Sequence, residues 1–135
     1  MAEFVKTLPQ NIEAEKAVLG SILLDDEAIN GALEEVGIND FYDQNHKKIF
    51  SAMLELDGEN KPIDVVTLYE KLKSKKSMLQ EIGGSTYLTQ LVEFVPSSSN
   101  VNIYARSVRE KSILRSMIQT ASEIVAEGQM DQIDV

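Results

Sequence analysis

Apolar residues recur every three or four positions along most of the chain, and no segment alternates apolar and polar residues as a β-strand does. This spacing predicts amphipathic helices and an all-α fold. Helices are expected over about 12–24, 26–36, 44–56, 65–72, 78–82, 86–95 and 101–126.

Polar residues and glycines mark the ends of these helices. Side chains suited to capping free amide groups stand before four of them: Asn11, Asp25 or Asp26, Asp64 and Ser85. Glycines stand after three of them: Gly37, expected in a left-handed conformation, Gly58 and Gly128. Glu13 and Glu15 fall in the first turn of the first helix, where a carboxylate stabilises the positive end of the helix dipole.

Two glycines lie inside predicted helices. Gly20 and Gly31 each cost about 1 kcal/mol relative to alanine at such a position. We therefore expect the backbone at both residues to approach a neighbouring helix closely.

The last predicted helix is too long for a compact domain. From Val101 to Ala126 it would measure about 39 Å, whereas a compact chain of this size has a diameter of roughly 37 Å. Its first half, with Tyr104 on the inward side, is expected to pack on the preceding helices. Its second half must then project, with apolar residues that need a partner.

The composition fits one acidic domain of 135 residues without cysteine. The net charge of -9 is uneven, because residues 1–60 contain four Lys or Arg and 13 Asp or Glu, whereas residues 61–135 contain nine of each. This bias argues against a nucleic-acid-binding surface. We interpret the basic groups as solvated helix faces; they comprise Lys71, Lys73, Lys75, Lys76, Arg106, Arg109, Lys111 and Arg115. No apolar run reaches the length of a membrane span.

Catalytic chemistry is not indicated. The glycine-rich G-x-x-x-x-G-K-[ST] loop that holds nucleotide phosphates does not occur in the sequence. His46 is the only histidine and has no second histidine or cysteine with which to form a metal site, so we interpret it as structural. No set of nucleophile, base and orienting residue supports a small enzyme.

Five short segments, in a fixed order, carry a family resemblance. They are Leu8–Glu15, Val18–Asp25, Asp40-Phe41-Tyr42 with His46, Gly83–Leu88, and Tyr104–Arg115. In this order the chain resembles the N-terminal domain of bacterial replicative DNA helicases, the DnaB family.

The resemblance implies a non-catalytic assembly and docking domain. It implies a helical head with an N-terminal arm over 1–100, a long helix over 101–128 that begins a helical hairpin, and the start of the hairpin turn over 129–135. The chain is then expected to be a fragment that ends within the hairpin. No cofactor is implied for this fragment, whereas ATP and Mg²⁺ would bind in the motor domain of the parent helicase.

The partners implied by the resemblance are primase and neighbouring subunits, which pair as dimers within a hexamer. A helicase loader is a further candidate, single-stranded DNA would pass through the parent motor ring, and the location would be cytoplasmic. The resemblance places partner contacts at Glu13, Tyr87, Ile118 and Ile124. It does not distinguish a primase contact from a subunit contact at Ile118 and Ile124, and Tyr87 can point inward or outward.

Two alternatives remain open from the sequence. The helicase-binding end of a primase shares this kind of helical head and hairpin, although a head that directly follows Met1 favours the helicase. A nucleic-acid-binding helical domain would need a basic surface and a recognition helix, which the acidic first half disfavours.

Overall fold

A computed structural model describes residues 7–134, with side chains described through residue 130. Within this range the chain forms seven α-helices, a short 3-10 turn at Ile38–Asp40 and no strand. The helices are α1 (Ile12–Leu24), α2 (Ala28–Leu33), α3 (Gln44–Gly58), α4 (Val65–Lys73), α5 (Met78–Glu81), α6 (Gly84–Phe94) and α7 (Val101–Asp134). The predicted all-α class with a long C-terminal helix is confirmed.

Helix α1 lies at the centre of the fold and packs against α2, α3, α6 and α7. Val18, Leu19 and Ile22 have no exposed surface, and Phe41 and Phe50 pack against each other with ring centroids 4.9 Å apart. The core residues of α7 come only from its first two turns: Val101, Ala105 and Val108. The first turns of α7 thus pack on the head formed by the preceding helices, and α7 continues beyond it.

The glycine predictions are confirmed at both interior positions. A Cβ at Gly20 would overlap the carbonyl oxygen of Leu91 in α6. A Cβ at Gly31 would lie 2.6 Å from the side-chain oxygen of Asn102 in α7. The absence of a side chain therefore lets the backbone of α1 contact the backbone of α6 at Gly20, and the backbone of α2 contact the side chain of Asn102 in α7 at Gly31.

Two predicted caps are observed. The side chain of Asn11 accepts a hydrogen bond from the amide of Ala14 at 3.0 Å, and that of Asp64 accepts one from Thr67 at 2.8 Å. Both contacts span three residues, which is why local sequence predicts them.

Other helix ends differ from the predictions. Helix α2 is only six residues long and ends at Leu33, and Gly37 is extended with φ -118° rather than left-handed. The carboxylate of Asp25 accepts from the amide of Glu27, but α2 begins after Glu27 without a side-chain cap.

The start of α6 also differs from the prediction. Ser85 lies inside α6, whose N-cap is Gly83 with φ +105°. Left-handed backbone is therefore found at Gly83, and again at Gly84 with φ +71°, where a glycine adopts it without steric cost.

Helix α7 is longer than predicted. It continues through Gly128 to Asp134, so the predicted end at Gly128 and the turn expected from residue 129 are wrong. A glycine in an exposed helix costs only about 1 kcal/mol, which good helix formers on both sides can offset. The 34 residues of α7 give a length of about 51 Å. Residues 1–6 of the expected N-terminal arm, and residue 135, lie outside the described residues.

Candidate functional site

Arg115 fixes the direction in which α7 leaves the head. Its guanidinium donates one hydrogen bond to the carbonyl oxygen of Pro9 at 2.8 Å and another to that of Asp40 at 2.7 Å. It also lies 5.4 Å from the ring centroid of Tyr42. With only 9% of its surface exposed, Arg115 is not part of a solvated face as predicted. Three chain segments are held together by this one side chain.

The other basic residues that form ion pairs fit the predicted solvated faces. Arg106 and Arg109 reach Glu35 at 3.4 and 3.2 Å on the surface between α2 and α7. Lys71 pairs with Glu59 at 2.8 Å and Lys75 with Glu55 at 2.9 Å. These pairs hold surface helices in place without forming a positive patch.

Replacing Arg115 by alanine is expected to lower the free energy of unfolding by about 2–3 kcal/mol, because two charge-assisted hydrogen bonds are lost together with the packing on Tyr42. Replacing Arg109, whose ion pair is exposed, should cost less than about 1 kcal/mol. Urea denaturation followed by circular dichroism measures both variants. Equal losses would contradict the anchoring role of Arg115.

Beside and beyond Arg115, α7 carries apolar side chains on the side opposite to the head. Apolar side chains at positions 114, 117, 121 and 124 follow the three-and-four spacing of a helix-pairing face. Met117 is 60% exposed and Ile124 is 63% exposed. This outward face, comprising Leu114, Met117, Ala121 and Ile124, lies roughly half a turn around the helix from the side that packs on the head.

Two predicted contact residues belong to this part of α7. Ile124 lies on the outward face and is exposed, whereas Ile118 is half-buried. At about 100° per residue, Ile118 and Ile124 are separated by about 120° around the helix. They can therefore meet different partners.

Glu13 is also exposed, in the first turn of α1. It lines an open groove with Phe94, Ile103 and Tyr104. Phe94 and Ile103 are both exposed. Tyr104 packs against the core, as predicted, but it is only half-buried and also lines this groove.

Tyr87 points inward and joins a buried network that the sequence did not reveal. The network consists of Glu15, Tyr42, Asp43, His46 and Tyr87. Nδ1 of His46 lies 2.8 Å from Oε1 of Glu15, and Nε2 of His46 lies 2.6 Å from the hydroxyl oxygen of Tyr87. Glu15 and His46 are each 1% exposed.

The carboxylate of Glu15 is the central acceptor of this network. It accepts backbone hydrogen bonds from Tyr42 at 2.7 Å and Asp43 at 3.3 Å, in addition to the contact with His46. Because the Glu15 carboxylate can only accept, Nδ1 of His46 donates to it, and in the tautomer with its single proton on Nδ1 the Nε2 atom accepts from the hydroxyl of Tyr87. The network ties α1, the segment before α3, α3 and α6 together. Glu15 is therefore a buried structural acceptor, beyond its predicted effect on the helix dipole.

The tyrosine in this network holds its proton strongly. Burial, and then the negative charges of Asp43 and Glu15, raise the pKa of Tyr87 to about 12. The hydroxyl therefore stays protonated at neutral pH and has a hydrogen to donate to Nε2 of His46. The series Glu15, His46 and Tyr87 resembles the acid, histidine and hydroxyl of a catalytic triad. Its hydroxyl belongs to a tyrosine and not to a nucleophilic serine, and Glu15 and His46 are buried, so we interpret the series as structural.

The predicted contact residues do not form one cluster. Glu13 is in α1, Tyr87 in α6, and Ile118 and Ile124 are in α7. No hydrogen bond or ion pair among the described residues joins any two of them. The same part of the chain contains no group of three or more His, Asp or Glu residues arranged to hold a metal ion. Across residues 7–134, no helix is long and apolar enough to cross a membrane.

Comparison with known proteins identifies the family. The protein-family model of the DnaB-like helicase N-terminal domain matches residues 7–110 of this chain. The replicative DNA helicase DnaB of Geobacillus stearothermophilus is 46% identical over 129 residues, and the match covers 94% of this chain and 28% of that protein. The chain thus spans less than a third of the helicase it resembles.

Solved structures agree with this match. The N-terminal domain of DnaB helicase from Mycobacterium tuberculosis has a TM-score of 0.88 at 36% identity, and the match covers 91% of this chain and 85% of that one. A DnaB-like replicative helicase, described together with its interactions with primase, has a TM-score of 0.76 at 30% identity. That match covers 92% of this chain and 29% of the other. Sequence, family model and fold therefore agree: the chain belongs to the DnaB-like helicase N-terminal domain family.

Proposed function

We propose that the chain is the non-catalytic assembly and docking domain of a hexameric, ATP-dependent replicative DNA helicase. In this proposal residues 1–100 form the head, and the helix from residue 101 is the first half of a helical hairpin. The observation that carries the proposal is the outward face of α7, whose apolar side chains are presented to solvent by a helix fixed to the head at Arg115.

The apolar side chains of the outward face are exposed to water. Exposing an apolar face to water is unfavourable, and a partner that covers the face lowers the free energy of the system. The small residue Ala121, between Met117 and Ile124, lets a partner helix approach closely. These features support a helical partner, either the hairpin of a neighbouring subunit or a helix of primase.

The proposed partners are inferred from similar proteins. One similar helicase is described with its interactions with primase, and this supports primase as a partner of this chain. Glu13 and Ile118 are proposed as further contacts. Tyr87 is proposed to act through its ring, because its hydroxyl is occupied by His46.

The catalytic parts of the proposed helicase lie outside this chain. The sequence has no phosphate-binding loop, so ATP and Mg²⁺ are assigned to a motor domain in the parent protein. Single-stranded DNA would bind that motor ring. A contact with a helicase loader and a cytoplasmic location belong to the same proposal.

The test is a charge placed on the outward face in the full-length helicase. Replacing Ile124 by aspartate should weaken primase binding or subunit pairing by at least about 30-fold if the side chain is central to the contact, since burying an unpaired charge opposes association. The head should stay folded because position 124 is exposed. Primase affinity is measured by surface plasmon resonance, and hexamer content by analytical ultracentrifugation.

Matched controls separate the partners. Ala126→Asp adds the same charge at an exposed position away from both the outward face and Ile118, and Lys73→Ala removes a charge from the head; both should change affinity by less than about 5-fold. Ile118→Asp tests the neighbouring side of α7. Loss of primase binding with intact hexamers assigns Ile124 to primase, and loss of hexamers assigns it to the neighbouring subunit. Normal hexamers with unchanged primase affinity in both isoleucine variants would require that this docking surface be abandoned.

A further inference from the structure

An open groove runs along one side of α7, beginning where this helix leaves the head. Its volume is about 520 Å³, and it is lined by Asp40 of the head and by residues 112–124 of α7. Ile113, Met117 and Ile124 are its exposed large apolar residues. At about 100° per residue they lie within about 40° of one another around the helix, so they form one strip. We call this surface, which shares Met117 and Ile124 with the outward face, the side groove.

The charges at the head end of the side groove offset one another. Three arginines and three carboxylates stand there: Arg106, Arg109, Arg115, Glu35, Asp40 and Glu110. Two of the arginines reach Glu35 at 3.4 and 3.2 Å. The guanidinium of Arg115 donates to the backbone carbonyl oxygen of Asp40 at 2.7 Å. This end therefore has no net charge and favours a ligand of neither sign.

The far end of the side groove carries uncompensated negative charge. Residues 116–135 include no Lys or Arg but four acidic residues, which are Glu123, Glu127, Asp131 and Asp134. Glu123 and Glu127 are exposed, and neither forms an ion pair with a described residue. Arg115 is eight residues before Glu123. That separation is about 12 Å along the helix axis and exceeds the screening length of about 8 Å at physiological ionic strength.

This combination of apolar strip and acidic end fits one kind of partner. Glu123 and Glu127 are four residues apart, so their like charges lie on adjacent turns and destabilise the helix. A cation that a partner places beside them removes this repulsion. Glu127 is also three residues after Ile124, so one partner can cover the apolar strip and reach the carboxylates. An amphipathic helix with a basic edge supplies both, whereas nucleic acid or an anionic membrane would be repelled.

We propose that the side groove binds an amphipathic helix of another protein, whose apolar side chains cover the strip and whose Lys or Arg side chains lie beside Glu123 and Glu127. The inference rests on the proposed function, in which a helical partner covers α7, and it specifies the chemistry of that partner. The positive charges come from a different protein, because the arginines of α7 are engaged by Glu35 and by backbone carbonyl oxygens of the head.

The test uses the ¹⁵N-labelled 135-residue chain and three helical probe peptides that differ only at their edges. The first is acetyl-(Leu-Ala-Gln-Leu-Lys-Ala-Lys)3-amide, and in the other two glutamine or glutamate replaces every lysine. We expect amide shifts at residues 113–127 and a Kd on the order of 100 μM for the lysine peptide. The glutamine peptide should bind about 5-fold more weakly, and the glutamate peptide at least about 20-fold more weakly, because exposed ion pairs are individually weak.

A charge reversal on α7 tests the acidic end directly. In the double variant Glu123→Lys/Glu127→Lys the order should reverse, so that the glutamate peptide binds most tightly. The matched control is Glu70→Lys/Glu93→Lys, which makes the same change of net charge at two exposed positions on the helices of the head. It should keep the order and change each Kd by less than about 2-fold. Circular dichroism of both double variants should match that of the parent chain.

Several outcomes would overturn the proposal. Equal binding of the three peptides would remove the charge selection, and shifts confined to the head would remove the side groove as the site. No saturable binding of any peptide would also contradict it, whereas Ile124→Asp in the full-length helicase decides the proposed function separately. Sedimentation of the chain alone tests the remaining occupant: dimers that are lost in Glu123→Lys/Glu127→Lys would assign the side groove to a second copy.

Discussion

Replacing Glu15 by alanine is expected to lower the free energy of unfolding by about 3 kcal/mol or more, a loss typical of removing one partner from a buried polar network. The carboxylate accepts from the Tyr42 and Asp43 amides and contacts Nδ1 of His46, so three polar groups lose their acceptor. Water cannot replace it without opening the core, because Glu15 and His46 are each 1% exposed. Chemical denaturation of the isolated chain measures the change.

A control two residues away shares the same helix turn. Glu13 is exposed, and Glu13→Ala should cost less than about 1 kcal/mol, the range of a helix-dipole interaction. Glu15→Gln should fall between the two alanine variants, because its carboxamide keeps one acceptor but turns a donor toward the remaining groups. If Glu15→Ala and Glu13→Ala cost the same, the carboxylate of Glu15 acts on the helix dipole alone.

The parts of the fold that sequence predicted are those that depend on neighbouring residues. The caps at Asn11 and Asp64 span three residues, and helical spacing follows directly from apolar periodicity. Helix ends without such a local contact were less predictable. The glycines at positions 37 and 128 predict helix ends, yet Gly37 is extended beyond the end of α2 and Gly128 lies within α7.

The Glu15 network could not be predicted because its members are distant in sequence. His46 is 31 residues from Glu15 and 41 from Tyr87. Glu15 also has a sufficient local explanation at a helix N-terminus, and this concealed its tertiary role. An acidic residue on the buried side of α1, between Ala14 and Val18, was the signal that could have revealed it. Arg115 was missed similarly, because its acceptors are backbone carbonyls that sequence cannot identify.

The candidate docking surface was partly predictable. The mismatch between helix length and domain width indicated a projecting apolar helix, and the structure shows exposed side chains there. The sequence did not show which side of α7 faces the head. Family membership now favours the helicase domain over the primase alternative, while the contacts of Glu13, Tyr87, Ile118 and Ile124 remain predictions.

The second large effect is expected at Gly20. Replacing Gly20 by alanine should lower the free energy of unfolding by at least about 2 kcal/mol, although alanine favours a helix by about 1 kcal/mol over glycine. The new Cβ would overlap the carbonyl oxygen of Leu91, a backbone atom that cannot rotate away. Helices α1 and α6 must then separate, and the buried contacts between them loosen.

Replacing Gly128 by alanine is expected to have the opposite effect on stability. Nothing lies within 4 Å of a Cβ at Gly128, and the residue is inside exposed helix. Gly128→Ala should therefore not lower stability and should raise the helical signal of α7, since only the propensity effect remains. The two substitutions are chemically identical, so a difference in sign isolates the α1–α6 contact. If Gly20→Ala were as stable as the parent chain, the backbones at Gly20 and Leu91 would not be in close contact in solution.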